Sequence, residues 1–257
     1  MWDYPLTISQ LSVLVLVALS IIFVDKRIMR TYKKRSASAK SSRSSPRLAA
    51  RTSTRALGPH SQSSKDVDHV FFWKVDQPHG YLSQWYHSPF TATIHLPGRD
   101  APSTGTHTFL TAEHYMMASK ALLFDDHEVF HEVLASGSSN ADMIHVKALG
   151  RKVKSFSDDA WKQHREEIVL NGSIAKFGDE GNRVLKSWLM ETGEKMIVEA
   201  SPRDRIWGIG FGDQRALEVK EKWGLNLLGI ALMKTRQKLR EDDLRIQRNE
   251  ETANERM

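Results

Sequence analysis

Thr111-Ala-Glu-His-Tyr-Met-Met-Ala-Ser-Lys-Ala-Leu-Leu123 is where the period of the chain changes from two to 3.6, and that change decides the fold class. Thr111 suits an N-cap, and Tyr115, Ala118, Lys120, Leu122 and Leu123 follow at helical spacing. Upstream, His69 to Val75, Thr91 to Leu96 and Thr106 to Leu110 are short and strand-like. Turn signals divide them at Gln77-Pro-His-Gly80, Pro97-Gly98 and Pro102 to Gly105. Downstream, helices are expected over Asp125 to Ala135, Asn140 to Leu149, Asp158 to Phe177 and Gly181 to Met190, with Gly150 and Gly178 as stops. Lys195 to Glu199 reads as one more strand. Leu225 to Leu239 is a strong amphipathic helix running into a charged tail, Glu241 to Met257, that is expected to fray. The sum is a helix-rich α+β domain with a small sheet drawn mainly from its N-terminal third.

The 257 residues, 40% hydrophobic, suffice for one core plus appendages. Cysteine is absent, which excludes disulfides and thiolate metal sites. The net charge of +6 is unevenly spread. Of 37 Lys and Arg, twelve fall between Lys26 and Lys65, where no Asp or Glu occurs. The other 25 are set against 31 acids, so the rest of the chain carries −6. The basic character belongs to a linker and gives no argument for nucleic-acid binding by the folded part.

Four segments follow: a membrane anchor over 1–25, a basic Ser-rich linker over 26–67, the folded domain over 68–240, and the charged tail over 241–257. Leu6 to Val24 is mostly apolar, and its nineteen residues reach about 28 Å as a helix, close to the hydrocarbon thickness. Lys26, Arg27, Arg30, Lys33, Lys34 and Arg35 come just after it, while Asp3 is the only charge before it. That asymmetry is the reverse of a cleavable signal and keeps the basic side cytoplasmic. The expectation is a single-pass transmembrane helix with the folded domain in the cytoplasm; a buried or interfacial helix is the alternative. The linker has almost no large apolar side chains, so it is expected to be a disordered tether.

Two separated acids stand beside aromatic and glycine-rich stretches. Glu113 opens the helix after Thr111, and Asp204 lies in Ser201-Pro-Arg-Asp-Arg-Ile-Trp-Gly-Ile-Gly-Phe-Gly212. Alternating glycines, Gly208 among them, let backbone approach a ligand closely. Trp207 and Trp85 offer flat faces for a planar ring or, equally, core packing. Two acids next to an aromatic platform are what cleavage of a glycosidic bond requires. The plain alternatives are a helix-start acid favoured by the macrodipole and a turn-initiating Asp. Lys120 lies seven residues after Glu113, about 700° round the helix and so on its face. It would grip phosphate, attack a ribose aldehyde as a Schiff-base amine, or stay a solvated lysine. Arg151, after Gly150, would pair with phosphate or complement the helix dipole.

His127-Glu-Val-Phe-His131 imitates a zinc-protease helix, with two His four apart and Glu128 between. The third ligand is missing: Leu134 and Gly137 occupy the positions where such a site needs Gly and His. Gly208-x-Gly210-x-Gly212 follows no strand–helix dinucleotide unit. Neither a metal nor a cofactor is expected.

Phe71-Phe-Trp73, Gly80-Tyr-Leu-Ser-Gln-Trp85, Ser88-Pro-Phe90, Thr111-Ala-Glu-His-Tyr115, Ala118-Ser-Lys120, Leu149-Gly-Arg151, Lys176-Phe177, Glu199, Ser201-Pro202, Asp204, Trp207-Gly208 and Asn226 fall in an order and spacing that resemble the NADAR family. The resemblance, to YbiA-like proteins, covers roughly Val70 to Leu239. It implies one helix-rich YbiA-like domain and an N-glycosidase acting on ribosyl phosphates, early riboflavin-pathway intermediates or guanine bases bearing ADP-ribose. Nucleic acid would thus be a partner only as an ADP-ribosylated substrate. The chain departs from the family at Gln84, where Asn is usual, and at Leu225, where a basic residue is usual.

By that resemblance Glu113, Lys120 and Asp204 are the catalytic set. Ser83, Trp85, Arg151, Lys176, Trp207, Gly208 and Asn226 contact the substrate, with Lys176 and Asn226 placed by family position alone. His114 is given no catalytic part. The resulting expectation is a membrane-tethered N-glycosyl hydrolase that cleaves a ribosyl C–N bond. The alternative is a tethered module that binds ADP-ribose or a nucleotide without turning it over.

Overall fold

A computed structural model describes residues 68–98 and 103–256. The expected anchor and linker lie outside these residues. Among the described residues, no helix is long and apolar enough to cross a membrane.

Helix α1, Ala112–Leu123, is the centre of the core. Tyr115, Met116, Met117, Ala118, Ala121 and Leu122 are all buried, as a helix covered on every side requires. Thr111 caps it through its hydroxyl, which accepts from the His114 N–H at 3.4 Å. Around α1 pack α2, His127–Ala135, α3, Asn140–Lys152, and α4, Asp158–Gly178. Ser139 and Asp142 form a capping box at the start of α3. Gly150 was expected to end α3, yet the helix runs two residues further. A Cβ there would lie 1.9 Å from the Met117 sulfur, so the glycine serves close helix packing rather than termination.

The strands form two separate pairs rather than one sheet. β2, Phe90–Thr93, runs antiparallel to β3, Thr106–Phe109, as a local hairpin. β1, His69–Phe72, instead pairs in parallel with β4, Met196–Glu199, in a register that sets Phe72 against Glu199. Parallel pairing needs a long crossover, and here it contains α1 to α4 and α5, Arg183–Glu191. A short helix, α6, Asp213–Ala216, precedes the last helix, α7, Leu227–Asn254. α7 packs on α4 and β4. It continues through the segment expected to fray, with Lys238–Asp242 pairing one turn apart and Lys186 of α5 holding Asp243 at 2.5 Å.

Asn226, at the N-cap of α7, has left-handed backbone geometry, φ 51°. Its side-chain oxygen accepts the Glu199 N–H at 3.0 Å, and its amide donates to the Ile197 carbonyl at 2.9 Å. Asn226→Ala should cost roughly 2–4 kcal/mol, since two hydrogen bonds are worth about 1 kcal/mol each and a left-handed non-glycine about 1–2 kcal/mol. Asn226→Gly should cost less, because it relieves only the backbone part. Denaturant unfolding of both variants checks this, and equal losses would refute the backbone contribution.

Candidate active site

Glu113 lies in the first turn of α1, and its N–H donates to the Gln84 carbonyl at 3.0 Å. Its side chain is buried, 5% exposed, on a helix whose other buried residues are mostly apolar. Burial raises its pKa from 4.5 to about 7, and the negative charge of Asp204 adds to the rise. Lys147, a hydrogen bond from the Trp85 side chain, and Arg151 oppose it. Lys147 and Arg151 are exposed and one turn apart on α3, so they share a face.

A third acid joins these two. Glu199 closes β4, and burial pushes its pKa up to about 8, with Asp204 and Glu113 pushing the same way and Lys147 against. Its Oε2 is buried and has no hydrogen-bond partner among the described residues. Glu113 and Glu199 interact, and the charge of Glu113 raises the pKa of Glu199. Asp204 is held by its own turn, Oδ1 accepting from the N–H groups of Ile206 at 2.9 Å and Trp207 at 2.8 Å.

Of the residues singled out in the sequence, Glu113, Trp85, Asp204 and Arg151 therefore come together. Glu199 and Lys147 complete the group. Glu199 is one of the positions that carry the family resemblance, but the sequence alone gives it no role. Lys147 reads as an ordinary surface lysine; only its place one turn before Arg151 marks it.

The remaining singled-out residues frame the group or stand beside it. Lys176 is interior and donates to the carbonyls of Tyr81 at 2.8 Å and Ser83 at 3.2 Å, while burial lowers its pKa to about 7. The Ser83 hydroxyl accepts from the Trp85 N–H at 3.2 Å. Trp207 is half-buried and packs on the core. Gly208 passes so near β4 that a Cβ would lie 2.7 Å from the Glu199 carbonyl oxygen. Lys120 donates to the Gly150 carbonyl at 2.6 Å, with its ammonium 4.1 Å from the Phe156 ring and 5.4 Å from that of Trp161. Burial and the neighbouring Arg151 lower its pKa. His127, Glu128 and His131 are exposed on α2, where Glu128 pairs with Lys154 at 2.6 Å.

Two surface recesses, of about 480 and 590 Å³, lie away from the carboxylates, one along α7 and one at the turn between α1 and α2.

A fold of this kind, with buried acids of raised pKa under a basic helix face, fits an enzyme. A family model described as the NADAR domain matches residues 71–240. The chain belongs to the NADAR family. N-glycosidase R617 of Acanthamoeba polyphaga mimivirus is 41% identical over 158 residues, 61% of this chain and 85% of that one. Riboflavin biosynthesis protein VVA0006 of Vibrio vulnificus is 29% identical over 172 residues, 67% of this chain and 39% of that one. The solution structure of the E. coli protein YbiA shares the fold, with a TM-score of 0.50 at 23% identity over 72% of this chain and 92% of that one. The chain is thus an enzyme of the N-glycosyl hydrolase class.

The raised pKa values carry a sign. Unfolded, both glutamates titrate near 4.5; folded, at about 7 and about 8. The stability they contribute is fully present below the unfolded value and lost as pH rises through 7 and 8. Glu199→Gln, which cannot ionise, should leave Tm nearly unchanged at about pH 5 and raise it over the parent at about pH 9. Thermal melts at the two pH values decide it, a parallel offset at both being the contrary result.

Proposed function

We propose that the chain hydrolyses the ribosyl C–N bond of a phosphorylated nucleoside-like or ADP-ribosyl compound, from a membrane-tethered position. The observation that carries this reading is the meeting of Glu113, Glu199 and Asp204 beneath Lys147 and Arg151. Breaking a ribosyl C–N bond builds positive character on the sugar and negative charge on the departing nitrogen. A carboxylate for the first and a proton donor for the second are the minimum requirement. Near neutral pH, acids titrating at about 7 and about 8 supply both states at once. Lys147 and Arg151 suit a phosphate, Arg151 by its planar fork. Lys120 is assigned a further phosphate contact, since the Gly150 carbonyl and two ring faces hold its ammonium beside Arg151. Trp85, half-buried against Glu113, offers a face for the base. The names of the mimivirus and Vibrio relatives, an N-glycosidase and a riboflavin biosynthesis protein, support a ribosylated ring as substrate. Nucleic acid enters only as ADP-ribosylated guanine.

The test is release of free base, followed by chromatography, from a ribosylaminouracil phosphate and from ADP-ribosylated guanosine. Glu113→Gln should slow turnover about 10²–10⁴-fold while largely keeping ligand affinity, because shape persists and charge does not. Near-normal turnover by that variant would return Glu113 to a helix-start acid, and no base release by the parent enzyme would refute the reading.

Tethering rests on Leu6 to Val24 and the twelve cations that follow it. Protease added outside intact organelles should remove the domain; full protection would place it on the other side.

A further inference from the structure

We infer that Glu199 is the proton donor to the leaving nitrogen, with Glu113 as the carboxylate that receives the proton of the attacking water. This rests on the N-glycosidase reading. Glu199 Oε2 is buried with no hydrogen-bond partner among the described residues, although a carboxyl oxygen left so is costly. Its backbone is nevertheless held from three directions. The Asn226 side chain takes its N–H at 3.0 Å, the Ile209 N–H reaches its carbonyl at 3.0 Å, and Gly208 leaves no room for a Cβ 2.7 Å from that carbonyl. A buried carboxyl oxygen left unpartnered on so fixed a backbone suits a proton donor.

The charged groups facing it divide the labour. Glu113 of α1 and Asp204 of the following loop push Glu199 towards its protonated form, and Lys147 of α3 is the only cation opposing them. Two cations, Lys147 and Arg151, oppose the rise at Glu113, whereas Lys147 alone opposes the rise at Glu199. Asp204 has one oxygen committed to two N–H groups of its own turn. Glu199 is the group that holds a proton at neutral pH against two neighbouring acids.

The step balances. The C–N bond breaks and its electron pair goes to nitrogen, which takes the Glu199 proton. Water oxygen bonds to the sugar carbon, and its proton goes to Glu113. Ribose and the free amine or base leave, and solvent exchange returns one proton to Glu199 and removes one from Glu113.

Leaving-group dependence tests the assignment in the full chain. The probes are a ribosylaminouracil 5′-phosphate, whose nitrogen must be protonated to leave, and 4-nitrophenyl riboside 5′-phosphate, whose phenolate leaves without a proton. Glu199→Gln should slow the first about 10²–10⁴-fold and the second within about threefold. Glu113→Gln should slow both. The alkaline fall in kcat of the parent on the first substrate should vanish in Glu199→Gln. That pH readout decides alone if the nitrophenyl compound is not turned over. Equal losses on both probes, normal turnover of the first, or an unchanged alkaline limb each overturn Glu199 as donor. A parent enzyme inactive on both probes and on ADP-ribosylated guanosine overturns the underlying reading, and the assignment with it.

Discussion

Asn226 joins the part of the molecule that carries the chemistry to the part that holds it. Its side chain imitates one more strand residue beside β4, satisfying the Glu199 N–H and the Ile197 carbonyl where no further strand is paired. Its own N–H donates to Gly208. The segments on either side are laced together: Leu225 N–H to Arg205 carbonyl, Leu227 to Ile206, Leu228 to Trp207, and Gly224 to Ile209. Two glycines permit that closeness. A Cβ on Gly229 would lie 2.1 Å from the Ile197 carbonyl oxygen, and one on Gly224 would lie 2.3 Å from that of Arg205. The left-handed turn at Asn226 therefore sets where β4 ends, where the Asp204 loop passes, and where α7 begins.

Burial is used in opposite ways by the interior charges. Lys176 spends its position on structure: two backbone carbonyls accept from it, and the segment from Gly80 to Ser83 is fixed beside the loop that brings in Trp85. Glu199 is held through its backbone, and its Oε2 finds no donor among the described residues. The cations that oppose these shifts, Lys147 at both glutamates and Arg151 at Glu113, are exposed, so their attraction is weakened by solvent. This leaves the acids partly uncompensated, which is a cost to folding and a reserve of proton-holding capacity. Functional groups are where a sequence departs from what stability alone would choose.

The sequence made the local parts of this fold readable and hid the distant ones. The helix after Thr111, the strands β2 and β3, and α2 to α5 follow from caps and periodicity within a few residues of their observed bounds. The pairing of β1 with β4 does not, because the partners lie more than a hundred residues apart and neither strand carries a mark of the other. Gly150 reads as a helix stop since its use, making room for Met117, belongs to another helix. At the site, Glu113 and Asp204 are legible as acids in unusual surroundings and as family positions. Glu199 and Lys147 gain meaning only from neighbours supplied by other segments. Asn226 is visible by family position, yet its observed work is on β4.

Five segments meet at the carboxylates: the loop of Trp85, the start of α1, the middle of α3, the end of β4 and the Asp204 turn. No two adjacent elements assemble the group, so it exists only in the completed fold. One crossing governs the balance of charge within it. α3 approaches α1 closely because Gly150 has no side chain, and the same glycine gives its carbonyl to Lys120. Arg151 follows directly and acts on Glu113 and Lys120 alike. The distance between the two helices thus sets how strongly the α3 cations restrain Glu113, while Glu199, which also feels Lys147, is held on β4 by Asn226. The placement of these two interacting acids thus begins with a glycine in a helix and an asparagine at a turn.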